Sequence, residues 1–185
     1  MTDDNSAWGP LAHLIGTWEG DEGIDVAFAH ATGTVGETPY RERVEMKPFG
    51  PVDNGTQSLY GLDYRMAAWR GGEENPFHTE VGYWLWDAAD RAVSRCFMVP
   101  RGSTVLAGGI TTADSTSFTM AADVGSETYG ILSNPYLARA ARTTRYVCTI
   151  TIGDNEWSYD ETSTIDHERH GAVLEHTDRN RLRRV

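Results

Sequence analysis

Through most of the chain, apolar residues recur at every second position, the spacing of a half-buried strand. In 57–69, Tyr60, Leu62, Tyr64, Met66 and Ala68 share one face; in 145–152, Tyr146, Cys148, Ile150 and Ile152 do. The stretch 77–86 divides into Phe77, Val81, Tyr83 and Leu85 on one side and His78, Glu80, Trp84 and Trp86 on the other. Shorter runs at 93–100, 104–110, 115–122 and 156–164 also read as strands, and 40–47 alternates weakly. In the last stretch, 171–185, the even positions are Leu174, His176, Asp178, Asn180 and Leu182. Its odd positions are mostly charged and should meet water. The final strand therefore aims one imidazole, set between two leucines, at the protein interior. Periodicity alone leaves its use open, between a hydrogen-bonded core histidine and a ligand.

The helical period is rare. Residues 9–15 predict a short helix with an apolar stripe of Leu11, Leu14 and Ile15, and 134–142 predicts a second, capped near Ser133 or Asn134. Residues 1–8 read as a disordered lead-in, and 29–39 has loop composition. Pro48-Phe49-Gly50-Pro51, Asp53-Asn54-Gly55, Gly71-Gly72 and Gly153-Asp154-Asn155 are turn signals. Some nine or ten short strands joined mostly by tight turns predict one all-β domain over 1–185. The expected form is a single antiparallel up-and-down β-barrel of the calycin/lipocalin kind, with a short N-terminal helix. Barrels of this size can enclose a small-molecule cavity.

Composition narrows the function. The 185 residues include six Trp, eight Tyr and five Phe, enough to fill such a core. A formal net charge of −11 argues against nucleic acid or an anionic membrane surface as partner. The start, MTDDNSAWGP, is acidic and polar, unlike a signal peptide, and no apolar run reaches the length of a membrane span. A cytoplasmic protein is expected, and a homodimer is left open. Cys96 and Cys148 fall in apolar runs and read as buried free thiols.

Gly16-Thr17-Trp18-Glu19-Gly20, directly after the short helix, resembles the opening of the nitrobindin family, heme-binding relatives of the fatty-acid-binding proteins. His78-Thr79-Glu80-Val81-Gly82-Tyr83-Trp84 looks like its His-x-Glu-x-Gly-Tyr strand. The hairpin around Gly153-Asp154 and the final strand with His176 ahead of Leu182 are similar to its closing segments. The chain departs from the family in having Glu22 at a glycine position and Val26-Ala27-Phe28 in place of a Pro-Thr pair. His176 also precedes Leu182 by one residue more than the family spacing.

The resemblance implies a barrel that binds heme b at one open end, its iron held by a single histidine, here His176. It implies a role in binding or sensing nitric oxide, or in isomerising peroxynitrite. The chain reads as a binding protein first and, if catalytic, as a peroxynitrite isomerase. His78 would sit near the cavity beside Phe77, or else simply hydrogen-bond Glu80. Trp84, Met98, Phe118 and Met120 are the remaining candidates to line the heme slot. The departures favour an alternative, a non-heme carrier of an apolar small molecule such as a fatty acid. The lone His-x-x-His of His167 and His170 lacks the further ligands zinc would need.

Overall fold

A computed structural model describes residues 5–29 and 32–185. Eleven strands appear among them: β1 (Gly16–Ala29), β2 (Thr34–Asn54), β3 (Gln57–Arg70), β4 (His78–Asp87), β5 (Ala92–Val99) and β6 (Ser103–Ile110). They continue as β7 (Ser117–Val124), β8 (Gly130–Ser133), β9 (Ala141–Gly153), β10 (Glu156–His167) and β11 (Ala172–Arg184). They close into a barrel in the order β1-β11-β10-β9-β7-β8-β6-β5-β4-β3-β2. Closure removes the sheet edges that an open sheet would expose. Neighbours are antiparallel except β8, which runs parallel to β7. The four-residue β8 inserts between β6 and β7, which among the described residues pair directly at Gly108 and Ala121.

The faces follow the alternation in the sequence. Leu62, Tyr64 and Ala68 on β3, Trp84 and Trp86 on β4, and Tyr146, Cys148 and Ile150 on β9 are buried. Val81 and Tyr83 point outward. The backbones of β4 and β5 approach closely at Gly82, where a Cβ would lie 1.9 Å from the Cys96 carbonyl oxygen.

One end of the barrel is sealed. A 3-10 helix, Ser6–Leu14, buries Leu11 and Leu14 against the strand ends. The Trp18 indole donates to the Leu14 carbonyl at 2.8 Å, and Trp18 and Trp84 each meet Trp157 edge-on at 6.4 Å. The helix kinks at Gly9, whose φ of +53° and contact with the Trp86 ring leave no room for a side chain.

Several boundaries differ from the sequence reading, each for a tertiary reason. Of the expected lead-in, residues 1–4 lie outside the described residues. Ser6 to Trp8 are instead helical, anchored by the Trp8 indole, which donates to the carbonyls of Phe49 (3.2 Å) and Gly61 (3.1 Å). The expected loop 29–39 is mostly strand: β1 and β2 pair out to Ala29 and Thr34, and residues 30–31 lie outside the described residues. The turn expected at 48–51 is a register shift within β2, because β3 pairs with it on both sides. The second helix stops at Ala140, since Ala141 already pairs with His167.

Candidate functional site: the open mouth of the barrel

The other end carries polar side chains. Asp25 on β1 and Asp178 on β11 are directly paired across the two strands. Two carboxylates so placed repel each other unless a cation joins them. His176, two residues before Asp178 and on the same inward face, supplies it. Its Nε2 lies 2.9 Å from Asp25 Oδ1 and 3.0 Å from Asp178 Oδ2. Burial by itself would lower the His176 pKa; the hydrogen bonds to Asp178 and Asp25 outweigh it and raise it to about 10. The Asp25 side chain is only 5% exposed. Burial pushes its pKa up, but His176 and Arg70 bring it below the usual range. Arg70 reaches Asp25 Oδ2 at 3.3 Å and lies over the Phe77 ring at 4.1 Å.

Beside this group, His78 Nε2 sits 3.3 Å from Glu80 Oε1. Burial opposes charge on the ring, but Glu80 and the more distant Glu161 and Asp178 raise its pKa. Below lies a buried ionic cluster that fills the lumen. The Arg95 guanidinium pairs with Glu80, donates to Glu161 Oε2 at 3.0 Å and to the hydroxyls of Tyr64 (3.0 Å) and Tyr146 (2.6 Å). Tyr64 donates in turn to Glu80, and Tyr146 to Glu161. The rings of Tyr64, Trp84, Phe97 and Tyr146 surround the guanidinium at 4.4–5.9 Å. Burial raises the Glu80 pKa, but Arg95 and His78 reverse this and hold it down to about 2. A second buried chain runs from Tyr40 to Tyr159 to Glu42, with Asn180 also donating to Glu42. Burial holds Glu42 up at about 7 despite those donors.

The structure thus brings His176, His78 and Phe77 together at the mouth. Trp84, Phe118 and Met120 are packed deep in the core, with exposures of 1, 5 and 0%. Met98 does not line the interior: it is 55% exposed on the outer wall, because Arg95 and Phe97 take the inward positions of β5. Both cysteines are free, and burial pushes Cys148 up to about 12. His167, at the end of β10, is buried and meets the Phe28 ring at 4.8 Å with the two planes tilted by 53°. Sequence reasoning named Asp178 only as a neighbour of His176 and missed Asp25, Arg95, Glu42 and Glu161. The single signal for Arg95 is a charge in the middle of an apolar strand.

The fold is thus a closed, mostly antiparallel barrel with one sealed end and one polar mouth. Residues 7–184 match the THAP4-like, heme-binding beta-barrel domain, and the chain belongs to that family. No curated protein matches. The crystal structure of Rv2717c from M. tuberculosis is similar, with a TM-score of 0.66, 18% sequence identity and 97% of each chain covered, which establishes a shared fold. Among the described residues, no helix is long and apolar enough to cross a membrane.

Family membership supports heme binding, and the donors at the mouth bear on it directly. A metal-bound imidazole is commonly oriented by a carboxylate on its other nitrogen. His176 has such a partner twice over, on Nε2. With Nε2 taken by Asp25 and Asp178, Nδ1 is the nitrogen left for an iron, and the ring would have to give up its Nδ1 proton to bind one.

Proposed function

We propose that the mouth of this barrel binds heme b, with His176 as the residue that would hold the iron, Asp25 and Asp178 orienting its ring, and His78 and Phe77 at the edge of the site. Such a heme would supply an iron centre for binding or sensing nitric oxide, or for isomerising peroxynitrite. The observation that carries the reading is the inward, carboxylate-held imidazole of His176 in a chain of a heme-binding family. What the chain itself contributes is a ring fixed on a strand, a closed floor that keeps any ligand at the mouth, and a nearby histidine, His78, able to donate to it. An apolar-ligand carrier is less well supported, because the space under the mouth is occupied by Arg95, Glu80 and Glu161 instead of an apolar hollow. A cytoplasmic setting suits the two free thiols.

Hemin titration followed by absorption spectroscopy tests the proposal. One equivalent should give a shifted Soret band. His176→Ala should lose it, while His13→Ala, at an exposed position on the sealed end, should keep it. A wild type without a Soret shift, or a His176→Ala spectrum identical to wild type, refutes the assignment.

A further inference from the structure

Two carboxylates converge on one imidazole nitrogen. Nε2 carries a single N–H, which can satisfy one acceptor well, yet Asp25 Oδ1 and Asp178 Oδ2 both stand at hydrogen-bond distance from it. The three ligand-type atoms all lie within 4.8 Å of one another. They come from two elements held in register: Asp25 and Asp178 are paired across β1 and β11, and His176 shares the face of Asp178. Asp25 is almost wholly buried, and its second oxygen is occupied by Arg70, so Oδ1 is fixed toward the histidine. The side chains of His176 and Asp178 are partly open to the mouth, at 36% and 23% exposure, so an ion has a way in.

The two separations from the imidazole nitrogen fit one shared metal ion. Nitrogen and oxygen ligands bind first-row divalent cations at about 2.1 Å, so neighbouring ligands lie about 3.0 Å apart at the right angles of octahedral coordination and about 3.4 Å apart at the tetrahedral angle zinc prefers. The observed separations from Nε2 are 2.9 and 3.0 Å. One imidazole with two carboxylates suits borderline-to-hard divalent ions such as zinc, manganese or iron(II). It also leaves further coordination positions to water or to a small anion entering the mouth.

We propose that Asp25, His176 and Asp178 form a binding site for a single divalent transition-metal ion, held through His176 Nε2 and one oxygen of each carboxylate. The site does not rest on the heme reading, which uses the opposite ring nitrogen and a porphyrin; here the ion is bare and takes the place of the Nε2 proton. Arg70 acts as a positioning residue, holding Asp25 from behind.

The test uses chelator-treated, heme-free protein. Cobalt(II) titration followed by visible absorption, and zinc titration calorimetry, should each give one saturable equivalent. His176→Ala and Asp178→Asn should weaken binding at least tenfold, while His13→Ala should leave it unchanged. A thermal melt of each variant checks that it is folded. If Asp178→Asn does not fold, Asp178→Ser with the same titration replaces it. Absence of a saturable equivalent in the folded wild type, or equal affinity in a folded Asp178 variant, overturns the proposal and leaves an imidazolium ion pair only. Hemin titration of the same preparations is scored separately: a metal site without a Soret shift sinks the heme reading alone, and the reverse sinks this one alone.

Discussion

Replacing Arg95 by methionine should be among the most damaging changes in this protein. The guanidinium is 5% exposed and is the cation shared by Glu80, 3% exposed, and Glu161, 17% exposed. Methionine keeps much of the volume among the surrounding rings but strands two carboxylates in the lumen. Breaking a buried ion pair by removing one partner costs about 3–5 kcal/mol. The depression of Glu80 from 4.5 to about 2 gives the same order, ~3 kcal/mol, at about 1.4 kcal/mol per pKa unit. In a domain of this length that is a melting-temperature loss of about 6–12 °C. Because the folded-state pKa of Glu80 is depressed, its contribution is complete above pH 4.5 and vanishes as pH falls through about 2. The gap between wild type and Arg95→Met in urea unfolding should therefore be large at pH 7 and shrink below pH 3. The triple variant with Glu80→Gln and Glu161→Gln should recover most of the loss. A gap under about 1 kcal/mol at pH 7, well short of the range for a broken buried pair, would show that the cluster does not hold Arg95 as described.

Glu42 predicts the opposite pH trend. Its folded-state pKa is raised to about 7, so its contribution is full below 4.5 and lost as pH rises through 7. Glu42→Gln should thus match wild type in thermal melts at pH 4 and exceed it at pH 8.5, by roughly 3–4 kcal/mol at about 1.4 kcal/mol per pKa unit. Asn134 caps the short helix α1 (Pro135–Ala140) by accepting from Leu137 N and also donates to the Arg101 carbonyl. Asn134→Ala should cost about 1–2 kcal/mol in urea unfolding. Gly82→Ala would drive a methyl group into the Cys96 carbonyl and should leave little soluble folded protein on expression.

The alternation in β3, β4, β9 and β11 made their inward faces legible, because a period of two states which side chains share a wall. It could not say which residues meet across the lumen. Arg95 finds Glu80 at a separation of 15 residues and Glu161 at 66, and His176 finds Asp25 at 151. Such partners depend on closure and stagger, which no local pattern encodes. Met98 was misplaced for a different reason: Cys96 to Val99 is uniformly apolar, so periodicity is silent and only the burial of Arg95 fixes the parity. β8 is invisible because four residues carry no readable period, and β2 reads too short because Pro48 to Pro51 looks like a turn until β3 pairs on both sides of it.

The tryptophan-packed base carries much of the apolar mass that keeps the strands together, while Asp25, Arg70, Phe77, His78, His176 and Asp178 stand at the opposite rim. A vessel built this way can change its contents without being rebuilt. If the rim is the binding site proposed above, substitutions there would change what is held and spare the foundation.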